Sequence, residues 1–439
     1  MTIDDTQVRA ALATFGSGAR LEVSAEQVGL LRFAHSRVTA QHSENRLRVR
    51  VRLERDGRVA VGSVETLEPD AVRAMAAWLD EAITALPVRP TGPRGGRAHG
   101  GGPTPREVSE MSRTADAAQR YAWFDTIRTG LGEGTGLGGS IRHEVVDRVV
   151  TDDTGLYRQE TLTTASVQAV ADRDGRSASV KVVHRDAGQV AVDGIADRLL
   201  DQLAPIPGRE RISGTCRVVL RPQATGTLLA TYGYTTLGAA GYAQGRTAVA
   251  GRLGEPVAST TVTIVDDGTD PDGLPSGFDV EGSPRLRTPL VTDGVVTGVV
   301  SNVEHADVTG GVSTGHGVPF GWRFGADPSP SHLFMAAGDA SEEELLSGVG
   351  NGLVISRLDY LRVLHPKDTL VTGTTRDATY WVEDGKIVSW HPPVRFTFRM
   401  DEVLNAVLAV GDARERGDQT FMESVTAPAV LVDAGPLRL

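Results

Sequence analysis

Arg46-Leu47-Arg48-Val49-Arg50-Val51-Arg52-Leu53 alternates with period two. A β-strand turns successive side chains to opposite faces, so Leu47, Val49, Val51 and Leu53 address a core while four arginines face away from it. Asp56-Gly57 tolerates the positive φ of a tight hairpin, and Arg58–Val64 is expected to return as the partner strand. The period then changes. Pro69 suits a first helical position, and Val72, Met75, Leu79, Ile83 and Leu86 follow at spacings of three and four before Pro87 ends an amphipathic helix. The arginine face offers phosphate contacts in principle. In a chain with net charge −11, a solvated face paired with acidic neighbours is the better reading.

Working outward, more than half of the residues from Pro87 to Pro105 are Gly or Pro, which reads as a flexible loop. A helical region is expected from Glu107 to Thr129, then short strands punctuated by turns at Asp152–Gly155 and Asp172–Gly175. Val190 to Leu203 suggests another helix. Beyond residue 215 the composition shifts. Arg217–Leu220 reads as a strand and Pro222 to about Tyr242 as a helix. Strands are expected at Thr260–Val265, Pro289–Val300 and Ala378–Trp390. Ser341 with Glu344 forms a capping box, and Val403, Leu404, Val407 and Leu408 suggest a last helix ending at Gly411. The expected fold is α+β: an α/β N-terminal domain over 1–215 with a flexible loop at 87–105, then a mainly antiparallel, barrel-like β domain over 216–439 with flanking helices.

The 439 residues are 40% hydrophobic and 23% charged, an ordinary globular composition. Acidity disfavours nucleic acid and anionic membrane as general partners, and no apolar run is long enough to span a bilayer. Met1-Thr2-Ile3-Asp4-Asp5 lacks the features of a signal peptide, so a cytoplasmic location is expected. A single cysteine, Cys216, excludes an internal disulfide framework and reads as a buried structural thiol. The histidines are scattered, so no local pair has the spacing of zinc ligands on one helix face. No nucleophile elbow, phosphate-binding loop or C-x-x-C is present.

Two polar stretches remain as candidates. Asp266 to Asp307 is dense in acids, including Asp267 and Glu281. Oxygen ligands could hold a divalent cation, but the spacing fits no calcium loop, and turn chemistry explains the Asp-Gly pairs. In Ser313-Thr314-Gly315-His316-Gly317, the glycines permit close backbone approach to a ligand and His316 supplies a hydrogen-bonding ring. Asp266, Asp267, Glu281, Ser313, Thr314 and His316 are therefore the substrate-path candidates.

Gly251-Arg-Leu-Gly-Glu-Pro-Val-Ala-Ser259 and Val262-Thr-Ile-Val-Asp-Asp-Gly-Thr269 resemble the TldD/PmbA (TldE) peptidase family. The resemblance continues through Glu281-Gly282, Leu290–Val295, Ser313–His316, Ser341–Leu346, Gly352-Leu353 and Trp381–Ile387, covering nearly all of 216–412. The Ser-Thr-Gly-His wording is closer to the PmbA/TldE branch. In the N-terminal half, Leu31-Arg-Phe-Ala34, the hairpin and its helix match more loosely.

The resemblance implies a two-subunit zinc peptidase acting on extended peptides, in which TldD-type subunits bind the metal with H-E-x-x-x-H and a cysteine near the C-terminus. Matched without gaps, those helix positions are Ala230, Thr231 and Thr235, and no cysteine follows Gly411. Alanine offers no donor, a neutral threonine hydroxyl does not replace imidazole, and the general base is missing. The expectation is a non-catalytic subunit with no zinc of its own, partnered by a TldD-like zinc-bearing chain. Its role would be to shape the chamber for proteolysis or for maturation of a peptide-derived metabolite. Two alternatives stand beside it. One is an independent hydrolase or tailoring enzyme using Asp266, Asp267, Glu281, His305 or His316. The other is a nucleic-acid binder using the arginine face and the loop arginines.

Overall fold

The structure is a computed structural model that describes residues 3–88, 96, 108–211, 214–319, 327–417 and 424–435. Most of the Gly/Pro-rich loop, with its arginines, lies outside the described residues. Its Gly96 donates to Gly311 O and accepts from Ser313 N.

The first half opens with α1 (Asp5–Phe15), β1 (Ala19–Ala34), β2 (Arg37–Arg55), β3 (Arg58–Val64) and α2 (Pro69–Ala85). It continues with α3 (Glu110–Thr114), α4 (Ala117–Leu131), β4 (Gly136–Asp152), β5 (Tyr157–Arg173), β6 (Arg176–His184) and α5 (Ile195–Gln202). The six strands form one antiparallel sheet in the order β3-β2-β1-β4-β5-β6. The arginine strand behaves as its alternation requires. Val49, Val51 and Leu53 are buried with Leu21 and Val23 of β1 beneath α1 and α2, where Val8, Phe15, Val72, Leu79 and Ile83 close the core. Further along, Leu31, Phe33, Ile141 and Val167 pack against Trp123, Phe124 and Ile127 of α4 and Leu199 of α5. The strands after residue 135 are long, not short. The expected helical region divides in two because Asp116 leaves helical geometry and accepts from Gln119 N as the cap of α4.

The second half comprises β7 (Arg217–Leu220), α6 (Pro222–Thr236), α7 (Ala239–Ala243), β8 (Ile264–Asp266), β9 (Thr288–Thr292), β10 (Val295–Val296) and β11 (His332–Met335). There follow α8 (Glu342–Val349), β12 (Gly352–His365), β13 (Leu370–Glu383), β14 (Lys386–Trp390), β15 (Arg395–Arg399), α9 (Met400–Asn405), β16 (Val407–Arg416) and β17 (Ser424–Val432). Eleven strands form a second sheet, antiparallel except for β11 beside β17 and β7 beside β12. The α+β class is thus the observed one. The helix expected to end at Gly411 stops at Asn405. Val407 and Val410 instead pair with Val432 and Val430, a case where strand pairing overrides the i, i+4 pattern. Likewise the helix from Pro222 breaks after Thr236. Gly238 lies so close to Pro328 O that an added Cβ would come within 2.3 Å of it. Among the described residues no helix is long and apolar enough to cross a membrane.

The capping box forms as read: Ser341 Oγ accepts from Glu344 N, and Glu344 accepts from Ser341 N at 2.8 Å. Ser341→Ala is expected to lower stability by about 1 kcal/mol in urea denaturation with an unchanged slope.

Candidate functional site

Asp266 ends β8, and the 313–317 loop folds over it. Asp266 Oδ1 accepts from His316 Nε2 at 2.8 Å, while Oδ2 accepts the backbone N–H groups of Ser331 (2.6 Å) and His332 (2.9 Å). On its other side His316 Nδ1 lies 2.9 Å from Thr314 Oγ1, which accepts from Ser301 N at 2.6 Å. Gly315 allows this fold-back: its φ is +79°, and an added Cβ would stand 2.2 Å from Pro284 O. Burial alone would push the Asp266 carboxyl up. The His316 and His332 rings and the donated N–H groups outweigh it and hold the group well below the usual carboxylate range.

Thr314, His316 and Asp266 thus run in the order nucleophile, base, orienter. Access decides against that chemistry. Asp266 and Ser313 are fully buried, His316 is 1% exposed, and the Thr314 hydroxyl is taken up by Ser301. The arrangement locks a loop to a strand. Asp267 accepts from Thr269 in a local turn and pairs with Arg287 at 3.3 Å. His305 caps back onto Asn302 Oδ1 at 2.9 Å.

Glu281 is placed differently. It lines a cleft of about 400 Å³ between the polar face of the first sheet and the 279–319 segment, together with Arg20, Arg50, Arg52 and Gly317. Its Oε2 accepts from Val303 N at 2.8 Å and its Oε1 lies 3.5 Å from Arg20. Burial raises the Glu281 pKa, and the neighbouring Asp279 carboxylate adds to this. The arginine face is paired as its acidic surroundings implied: Arg50 with Glu22 at 2.9 Å, Arg52 with Glu54 at 2.6 Å, and Arg46 and Arg48 with Glu26.

The three positions matched to the zinc motif all fall on α6. Ala230 and Thr231 are buried. The Thr231 hydroxyl donates to Thr227 O at 2.9 Å and that of Thr235 to Thr231 O at 2.8 Å, so each is consumed one turn back in its own helix. A methyl group and two occupied hydroxyls do not fit a zinc ion. Among the described residues, no three His, Cys, Asp or Glu side chains converge as a ligand set. The chain leaving β16 passes this helix: an added Cβ on Gly417 would stand 3.5 Å from Gly226 Cα, one turn before Ala230. Cys216 packs half-buried at the start of β7, and burial pushes its thiol up to about 11, against a nucleophilic role.

The sequence model of the PmbA/TldA metallopeptidase C-terminal domain matches residues 213–435, and the chain belongs to that family. A metalloprotease of Methanothermobacter thermautotrophicus is 33% identical over 152 residues, covering 33% of this chain and 31% of the relative. A metalloprotease TldD homolog of Haemophilus influenzae is 28% identical over 196 residues, covering 42% and 40%. The chain thus spans less than half the length of these curated relatives. TldE from Thermococcus kodakarensis has the same fold, with a TM-score of 0.84, 17% identity and 99% of each chain covered.

Proposed function

We propose that the chain is a non-catalytic, TldE/PmbA-like subunit of a heteromeric zinc metallopeptidase. In this reading it works in the cytoplasm, completing the chamber through which a TldD-like, zinc-bearing partner receives an extended peptide. The observation that carries the reading is α6, whose Ala230, Thr231 and Thr235 offer neither ligands nor a general base at the matched positions. Hydrolysis is then the partner's work, while this chain contributes shape and contacts. Main-chain recognition of extended peptide makes few demands on side-chain chemistry, so a subunit without a metal still serves.

The test mixes the purified chain with a family subunit that carries an intact H-E-x-x-x-H and follows cleavage of a quenched-fluorescent peptide. The mixture should cleave and this chain alone should not. Chelator-sensitive cleavage by this chain alone, with about one zinc bound per chain, would overturn the reading.

A further inference from the structure

A cavity of about 630 Å³ opens where β6 and α5 meet the start of α6 and the end of β16. Four features of its wall point to one kind of ligand. Ser179, Gln223, Arg221 and Arg416 are among its lining residues.

The first feature is the start of α6. Pro222 holds the first helical position and no side chain caps the helix. The Arg221 side chain turns instead to Glu342, at 2.8 Å. The cavity wall thus includes the first turn of a 15-residue helix, whose N–H groups carry a partial positive charge and have no side-chain acceptor.

The second feature is Ser179. It is 5% exposed, and its hydroxyl has no hydrogen-bond partner among the described residues. Strand alternation puts it on the same face of β6 as Ser177 and Lys181, opposite the core residues Ala178 and Val180. Ser177 reaches across to Asp377 at 2.7 Å, and Lys181 lines the same cavity. The Ser179 hydroxyl thus points toward the cavity side, and a buried hydroxyl without a partner calls for one.

The third is the part-buried Arg416, which is held by the carbonyl oxygens of Val183 and Asp272 and, among the described residues, forms no ion pair with a carboxylate. Its hydrogen bonds go to neutral acceptors and the Asp272 and Asp270 charges act on it only at a distance, so the guanidinium can still pair with an anion. The fourth limits the ligand's charge. Asp201, Glu342, Asp412 and Glu415 stand on the same wall, which disfavours a dianion such as phosphate. Val219, Leu345 and Ile387 give the remainder an apolar surface.

We infer that this cavity binds the terminal carboxylate of a peptide, held by the open N-terminus of α6, the Ser179 hydroxyl and Arg416. A single negative charge on an amphipathic chain matches donors, rim and apolar wall together. That the ligand is a peptide rests on the metallopeptidase reading above.

The experiment measures fluorescence anisotropy of fluorescein-labelled penta-alanine, as free acid and as C-terminal amide, against the full chain without any partner. The free acid should bind about tenfold more tightly than the amide. Ser179→Asp and Gln223→Glu should each weaken the acid about tenfold by adding a like charge at the site. Because an acidic residue favours a helix N-terminus, Gln223→Glu should keep or raise the melting temperature, which separates lost binding from lost folding. Equal affinity for acid and amide, no saturable binding of either, or full binding by both variants would overturn the inference. Peptidase activity of the mixed subunits is read separately, so this site can fail while the subunit reading stands.

Discussion

Asp266→Ala is expected to destabilise the protein by about 3 kcal/mol or more, at about 1 kcal/mol or more for each of the three buried donors it leaves without an acceptor. The carboxylate is fully buried and satisfies three donors at once: His316 Nε2, Ser331 N and His332 N. Alanine removes the acceptor and leaves those donors without water to replace it. The effect spreads because this side chain, at the end of β8, joins two other segments, the 313–317 loop and the entry to β11. Asp267→Ala, one residue on, removes a turn contact and a pair with the exposed Arg287, and is expected to cost about 1 kcal/mol. Urea denaturation of the two variants checks the contrast, and equal losses would discard the locking role. The pH dependence has a definite sign. The Asp266 pKa is depressed in the fold, so its contribution is fully present above the ordinary carboxylate range and is lost as pH falls below it. Wild type should therefore lose stability below about pH 4 more steeply than Asp266→Asn.

The N-terminal hairpin and helix were legible because each is a local signal. Alternation in 46–53, the turn at Asp56-Gly57 and the helical spacing from Pro69 need only neighbours in sequence, and β2, β3 and α2 form where those signals lie. The failures share a cause. Val407 to Gly411 fits a helix until Val432 and Val430 of β17 offer strand pairing, and nothing in 403–411 encodes that partner. The length of β4 and β5 was hidden for a similar reason. Residues such as Arg142, Glu144 and Arg148 look like loop, but they project from the polar face of a strand. Arg148 meets Glu160 and Phe278 O across that face.

The site divides along the same line. Local wording exposed Asp266, Glu281 and the Ser313–His316 loop, and these do gather in one region. Whether they face a ligand or one another depends on contacts fifty residues apart in sequence, such as His316 with Asp266. Glu281 does reach a cleft, and there it joins Arg50 and Arg52 from the strand that first suggested a sheet. The cavity at the start of α6 left no trace in sequence. Its donors come from Ser179, Gln223 and Arg416, each unremarkable among its neighbours, and only the docking of β6 against α6 and β16 brings them together.

The second large effect belongs to His143, on the helix-covered face of the first sheet. Gly29 lies between Ser43 and His143 in the strand register, and the Arg120 guanidinium rests on it so closely that an added Cβ would stand 2.0 Å from Arg120 Nη1. His143 is 4% exposed, meets the edge of the Trp123 ring at 4.8 Å, and neither ring nitrogen has a hydrogen-bond partner among the described residues. Burial, reinforced by the Arg120 charge and only slightly opposed by Asp116, pushes its pKa from 6.5 down to about 4. The unfolded chain thus takes up this proton near pH 6.5 while the folded chain refuses it until near pH 4. Stability falls across that window and levels off below it, by about 3 kcal/mol in all. His143→Leu fills similar space without a titrating group and should flatten this part of the profile. At neutral pH it should hold or raise stability, because an unsatisfied buried ring is removed rather than a bond. The check is urea denaturation of both proteins at intervals from pH 7 to pH 4. Parallel profiles would mean that His143 is already charged in the folded state, with a counter-ion beside Arg120 that keeps it so. This window lies above the range in which Asp266 acts, so the two groups separate in one titration: the histidine governs the first loss on acidification, and the buried carboxylate governs the second.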